Sequence, residues 1–280
     1  MEEGGRGRKS DMSNAEKASI KKHMVEWTAA GNKMRICLIQ CDPINGRENL
    51  AVLNHVVTST DADLYVLPEL FTCGYPPPST AAPEDFIAGR LYPEIAGFQL
   101  KRPQSAIVYG FWEAANGQSY NSAAVIADVG TAEAYRQVCP ANGSLFHVVP
   151  GAWRTVNIGS VRFGNLRKIG LMICSDYNGA DEAFEHYSQR GVDAVVLIAD
   201  SAAKKWRDTF PNLCSRYHLP AIVCNAAGPI CGDKGHSYAI DSIGRIVREF
   251  PEYARQEVID VLVARREPFS ISAVPPVSAK

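Results

Sequence analysis

The feature that most constrains the fold is a short apolar run that ends abruptly at a cysteine. Residues 168–176 read Lys-Ile-Gly-Leu-Met-Ile-Cys-Ser-Asp, and the apolar part is too short for a typical helix. Such a run predicts a strand buried on both faces. Turn-forming residues and a predicted helix over 181–189 follow. Cys174 therefore lies where a buried strand gives way to a helix, at the sheet edge where α/β proteins bind ligands, although most free cysteines are buried and inert.

The rest of the chain alternates short apolar runs with helical patterns, which predicts an α/β fold with mixed sheets. A strand at 34–40, a helix at 48–59 and a strand at 64–67 form a βαβ unit with a parallel pair. The next strands, at 106–112, 119–127 and 134–138, are separated by turn residues and are expected to be antiparallel. Further elements are predicted at 85–98 (helix), 155–163 (hairpin), 193–199 (strand), 203–217 (helix), 221–225 (strand), 237–250 (hairpin) and 257–262 (strand).

Composition narrows the class of protein and its compartment. The 280 residues carry a net charge of −1, so no electrostatic footprint for nucleic acid or an anionic membrane is present. The eight cysteines include no C-x-x-C pair, which argues against zinc and disulfide chemistry and predicts reduced thiols in the cytoplasm. We expect one domain over 34–265, a partly disordered extension over 1–33 and a tail over 266–280, with no cofactor or metal and no nucleic-acid or membrane partner.

Three residues able to carry chemistry follow or end predicted strands: Glu69, Glu113 and Cys174. A carboxylate beside a thiol suits acyl transfer, because the carboxylate takes the thiol proton and later returns it to the leaving nitrogen. A histidine is the other common partner of a cysteine nucleophile, but no local pattern supports any of the candidates, which are His147, His186, His218 and His236.

Several motifs, in order along the chain, resemble the nitrilase superfamily of carbon–nitrogen hydrolases. They are Leu67-Pro68-Glu69-Leu70 with Thr72-Cys73-Gly74-Tyr75, Gly110-Phe111-Trp112-Glu113, Tyr120-Asn121-Ser122-Ala123, Gly170-Leu171-Met172-Ile173-Cys174-Ser175-Asp176, and Asn225-Ala226-Ala227-Gly228. The resemblance covers residues 34 to 262. It implies a four-layer αββα sandwich and a homodimer or larger homo-oligomer. It also implies that Glu69 is the general base, Cys174 the nucleophile and Glu113 a supporting acid.

The chain departs from the family at the catalytic lysine, which follows a Tyr-Arg pair. Here the residue after Tyr135-Arg136 is Gln137, which can donate a hydrogen bond but carries no charge. Losing one oxyanion donor typically costs about 3 to 4 kcal/mol. The nearest other lysines in the sequence are Lys168, Lys204 and Lys205, and no motif supports any of them.

The resemblance therefore implies a thiol-dependent hydrolase of a small amide, carbamoyl compound or nitrile. The alternatives are a thiol acyltransferase with the same residues, or a catalytically impaired pseudoenzyme that serves as a binding or scaffold protein. The pocket for a small-molecule substrate is expected to be lined by residues 75–80, 139–154 and 200–205.

Overall fold

The structure is a computed structural model. It describes residues 23–24, 33–41, 46–74, 92–127, 131–141, 148–158, 168–201, 204–227, 235–249 and 258–264. These residues form two β-sheets with helices beside them. No helix in these ranges is long and apolar enough to cross a membrane.

The first sheet has seven strands in the order β1-β13-β2-β3-β4-β5-β6. Their bounds are β1 His23–Met24, β2 Lys33–Ile39, β3 Leu64–Val66, β4 Ala106–Ala115, β5 Gln118–Ala127, β6 Thr131–Arg136 and β13 Val258–Ala264. β2, β3 and β4 are parallel neighbours, while β4, β5 and β6 are antiparallel. The predicted βαβ unit and the predicted antiparallel group are both confirmed.

The second sheet has six strands in the order β12-β11-β10-β9-β8-β7. Their bounds are β7 Thr155–Asn157, β8 Lys168–Ile173, β9 Ala194–Ala199, β10 Ala221–Asn225, β11 Tyr238–Ile240 and β12 Ile246–Glu249. The three central strands β8, β9 and β10 are parallel and buried at every residue except Lys168, as expected for strands with both faces covered.

Helices cover the outer face of each sheet, and the inner faces pack on each other. The helices are α1 Gly46–Ser59, α2 Tyr92–Leu100, α3 Ala180–Gln189 and α4 Lys204–Tyr217, with a 3₁₀ helix over Cys174–Gly179. Leu53 of α1 packs under the first sheet, and Phe184 of α3 packs under the second. Val66 and Ile198 belong to the shared core between the sheets. The predicted αββα sandwich is confirmed.

Strand alternation decides which residues reach the space between the sheets, because successive side chains point to opposite faces. In β4, Val108 faces the inner core, whereas Tyr109 and Phe111 face the helices outside. Glu113 shares the parity of Tyr109 and Phe111 and so lies on the outer face. The strand also runs on to Ala115, so Glu113 lies inside β4 and not at the strand end that we expected.

Some predicted bounds differ from those observed. The predicted helix 85–98 is observed over Tyr92–Leu100, and residues 85–91 lie outside the described residues. β6 ends at Arg136, so Gln137 directly follows the strand, although its backbone N–H still bonds the Asn121 carbonyl at 2.8 Å. Within the expected extension 1–33, His23–Met24 pairs in parallel with β13.

Gly110 lets the backbone that carries Glu69 lie directly against β4. A Cβ at residue 110 would stand 2.7 Å from the Glu69 Cα and would also meet the Leu70 nitrogen. We predict that Gly110→Ala lowers the free energy of unfolding by about 2–3 kcal/mol through overpacking.

The matched control is Gly97→Ala, because nothing lies within 4 Å of the added methyl in α2. This change is expected to stabilise the protein by about 0.5–1 kcal/mol, since alanine is the better helix former. Urea unfolding of both variants measures the difference. Equal effects of the two substitutions would contradict the close approach at Gly110.

Candidate active site

Three strand ends meet between the two sheets and bring Glu69, Cys174 and Asp200 together. Glu69 follows β3, Cys174 follows β8 and Asp200 follows β9. The Glu69 carboxyl and the Cys174 thiol are close enough for each to shift the pKa of the other. The backbone N–H of Asp200 donates to Glu69 Oε2 at 2.9 Å. The structure thus places the predicted base beside the predicted nucleophile.

Both strand ends turn sharply at a residue with positive φ. Cys174 has φ 42° and Leu70, the residue after Glu69, has φ 47°. Residues other than glycine occupy this left-handed region at an energetic cost, and such strained positions cluster at functional sites. The turn at Cys174 brings the thiol out of the strand and towards Glu69.

Burial sets the protonation of the pair. Glu69 is 1% exposed, and burial, followed by the nearby Asp200 carboxylate, raises the pKa of Glu69 to about 8. Burial and the Glu69 charge raise the pKa of the Cys174 thiol well above its usual range. At neutral pH both groups therefore keep their protons for most of the time. The ionised form of either becomes common only under alkaline conditions.

Gln137 lies in the site and is 4% exposed, but its side chain is fully engaged. Its Nε2 donates to the Ile173 carbonyl at 2.9 Å and to the Ser175 hydroxyl at 3.0 Å, so both amide hydrogens have acceptors. Its Oε1 accepts from Asn121 at 3.2 Å. Gln137 thereby links the two residues that flank Cys174 to the amide that binds Glu69.

Glu113 does not join the group between the sheets. Its carboxylate takes a two-pronged bond from Arg136, with N–O distances of 2.9 and 2.6 Å, and accepts from Ser122 at 2.6 Å. All three side chains lie on the outer face of the first sheet. Because residue 113 has the strand parity opposite to that of the inner core, the Glu113 side chain does not point between the sheets.

Sequence reasoning did not assign a role to two polar residues in the site. Asn121 donates to Glu69 Oε1 at 2.6 Å. Asn121 lies two residues before Ala123, which faces the inner core, and this spacing could have indicated that its side chain points between the sheets. Asp176 is fully buried and accepts hydrogen bonds from the backbone N–H groups of Ile173, which precedes the nucleophile, and of Val138, which follows Gln137. The sequence signal for Asp176 was an acidic residue two positions after the cysteine, but the local pattern alone predicts only a turn there.

The alternative lysines and histidines do not reach the pair where the structure describes them. Lys168 begins β8, at the opposite end of the strand from Cys174, and bonds the Arg190 carbonyl. His186 of α3 contacts Arg190, which directly follows that helix, and His236 pairs with Glu249 at 3.4 Å. His147, residues 75–80 and the side chains of residues 204 and 205 lie outside the described residues. Within the described ranges, no group of histidine, cysteine and acidic side chains is placed to hold a metal ion.

Comparison with known proteins identifies the family of this chain. Residues 19–271 match the carbon–nitrogen hydrolase family. The chain therefore belongs to that family.

Particular relatives include amidases and a synthetase. The chain is 29% identical over 242 residues to an (R)-stereoselective amidase from Pseudomonas sp., covering 77% of this chain and 80% of the relative. It is 26% identical over 266 residues to a glutamine-dependent NAD(+) synthetase from Thermotoga maritima, covering 87% of this chain but only 44% of the synthetase. An amidase from Nesterenkonia has the same fold, with a TM-score of 0.65 at 20% identity over 83% of this chain and 92% of that one.

The raised pKa of Glu69 predicts a measurable dependence of stability on pH. Between its ordinary value of 4.5 and about 8, the unfolded chain loses the Glu69 proton while the folded protein keeps it. The contribution of this group to the free energy of unfolding therefore falls as pH rises through that window. Glu69→Gln should become more stable relative to its parent by on the order of 4 kcal/mol between pH 5 and pH 9.

The comparison is best made in a Cys174→Ala background, because the thiol then adds no titration of its own. Urea unfolding at several pH values measures the change, and any constant loss of hydrogen bonds cancels in the difference. A stability difference that is flat from pH 5 to pH 9 would show that Glu69 ionises at its ordinary pKa.

Proposed function

We propose that this chain hydrolyses the carbon–nitrogen bond of a small amide, carbamoyl compound or nitrile through a thioester on Cys174, with Glu69 as general base. The observation that carries the proposal is the electrostatic coupling of the Cys174 thiol to the buried Glu69 carboxyl, which Asn121 and the Asp200 N–H hold in place. Membership of the carbon–nitrogen hydrolase family supports it. The similarity to an (R)-stereoselective amidase makes small carboxamides the first compounds to test.

On an amide, the reaction proceeds in two halves. The Glu69 carboxylate takes the thiol proton, and the Cys174 sulfur attacks the carbonyl carbon to form a tetrahedral intermediate. The carbon–nitrogen bond then breaks, and the protonated Glu69 gives its proton to the leaving nitrogen. Water next attacks the thioester while Glu69 takes its proton, which releases the acid and restores the thiol.

The negative oxygen of the tetrahedral intermediate needs hydrogen-bond donors. The Gln137 amide is poorly suited to this task as it stands, because both of its hydrogens already bond Ile173 and Ser175. The backbone N–H of Ser175 is the better donor, since a residue in the first turn of a helix has no carbonyl within that helix to bond. With one such donor and no cation from residue 137, we expect slow turnover.

The hydrogen bonding of Gln137 supports a second candidate function. A neutral, fully engaged residue at position 137 favours a pseudoenzyme that keeps the pocket as a binding or scaffold surface. Retention of both Glu69 and Cys174 side by side favours the hydrolase, since neither the buried acid nor the left-handed turn at Cys174 stabilises the fold. A measurement of thiol reactivity and a substitution at residue 137 distinguish the two.

The state of the nucleophile predicts its reactivity. Because the pKa of Cys174 is raised well above its usual range, alkylation by iodoacetamide should be slow at pH 7 and should still be rising at pH 9. Mass spectrometry of peptides after labelling measures each thiol separately, which matters because Cys73 and Cys139 are also partly exposed. Cys174→Ala is the control. A Cys174 that does not react even at pH 9 would contradict an accessible nucleophile.

Supplying a cation at residue 137 should raise activity. The ammonium of Gln137→Lys would lie near Glu69 and Cys174, lower the pKa of both groups and stabilise the negative intermediate. We expect release of ammonia from simple primary amides at pH 7 to rise by up to about 100-fold, equivalent to about 3 kcal/mol.

The matched control is Gln137→Met, which removes the amide without adding charge and should not raise the rate. Cys174→Ala in the Gln137→Lys background should abolish the activity. If Gln137→Lys is inactive on every amide and nitrile tested and Cys174 does not label, the pseudoenzyme is the better description.

A further inference from the structure

Asp176 has a coordination that the proposed chemistry does not use. Its side chain is fully buried and accepts hydrogen bonds at both oxygens. Oδ2 accepts from the Ile173 N–H at 2.8 Å and from the Tyr135 hydroxyl at 2.7 Å. Oδ1 accepts from the N–H groups of Val138 and Cys139 at 2.8 and 2.7 Å.

Two of these four donors lie on strands of different sheets and the other two follow β6, and together they bracket Cys174 and Gln137. Ile173 is the last residue of β8 in the second sheet, and Cys174 lies between it and Asp176 in the chain. Tyr135 is on β6 of the first sheet, and Gln137 lies between Tyr135 and Val138. One carboxylate thus fixes the segment before the nucleophile and the segments on each side of Gln137.

The backbone at Cys174 needs such a restraint. A non-glycine residue at φ 42° relaxes toward ordinary backbone angles unless its neighbours are held. The bond from the Ile173 N–H to Asp176 closes the turn across Cys174. The bonds from Val138 and Cys139 hold the opposite wall, where the Cys139 carbonyl also accepts from the Ser175 hydroxyl at 2.6 Å.

We propose that Asp176 is a positioning residue that holds the left-handed turn of Cys174 and sets the distance between the thiol and residue 137. The proposal rests on the proposed function only in taking Cys174 as the nucleophile. Asp176 does not touch the reacting atoms; it acts through the backbone of residues 173 and 138–139. If the turn relaxes, the sulfur moves away from Glu69 and becomes an ordinary exposed thiol.

Asp176→Asn tests this, because an amide cannot satisfy all four donors. If its oxygen keeps Val138 and Cys139, its NH₂ faces the Ile173 N–H, and the turn at Cys174 loses its restraint. The control is Asp63→Asn, which makes the same chemical change where Asp63 accepts from the Arg35 N–H at 2.7 Å. Asp63 immediately precedes β3, at the opposite end of the strand from Glu69.

Two readouts separate positioning from stability. In Asp176→Asn the rate of Cys174 alkylation at pH 7 should rise at least 10-fold and its pH profile should move toward that of an ordinary cysteine. Amide hydrolysis by Gln137→Lys, where present, should fall at least 10-fold in kcat when Asp176→Asn is added, with KM changed less. Asp63→Asn should change the alkylation rate by less than 2-fold, whatever its melting temperature.

Tyr135→Phe keeps the test decisive if Asp176→Asn does not fold, because it removes one donor and leaves the carboxylate. Its alkylation profile should move in the same direction by a smaller amount. Alkylation profiles of folded Asp176→Asn or of Tyr135→Phe that match the parent would overturn the proposal. The profile requires no turnover, so a parent that hydrolyses nothing contradicts the proposed function and leaves the role of Asp176 still measurable.

Discussion

The packing of two sheets through their apolar inner faces is the constraint on which the site depends. Each sheet supplies strand ends at one shared edge, and neither sheet alone contains both Glu69 and Cys174. Through the hydrogen bond from the Asp200 N–H to Glu69, the second sheet contacts the candidate general base that the first sheet carries. Because the interior is close-packed, a shift of one sheet against the other would separate the acid from the thiol.

The architecture was largely accessible from the sequence, since its parallel strands are short, buried and separated by clear helical patterns. The runs ending at residues 67 and 173 each predicted a strand followed by a reactive residue, and the structure brings those two residues together. Glu113 shows the limit of this reasoning. Its strand continues for three residues beyond the predicted end at residue 112, because Glu113 is paired with Arg136 and a charged residue on the outer face can remain in the ladder.

The polar network around the pair was less accessible, for a physical reason. Asn121, Asp176 and Asp200 act through contacts with residues 38 to 131 positions away, and no local periodicity encodes such contacts. Gln137 is intermediate: its place after Tyr135-Arg136 indicated proximity to the site. Only the structure reveals that its two amide hydrogens are already bonded to Ile173 and Ser175, which changes it from a weak substitute for a cation into a link between neighbouring segments.

The positive φ angles at Leu70 and Cys174 have a consequence for how this chain would respond to selection in the laboratory. Glycine adopts these angles without strain, but Leu70 is fully buried, and removal of its side chain would leave a destabilising cavity. A library selected for thermal stability alone should therefore keep leucine at residue 70 and admit glycine at residue 174, where the side chain is smaller. Because glycine at residue 174 removes the thiol, its frequency there under selection for activity would report the strength of selection on the thiol itself.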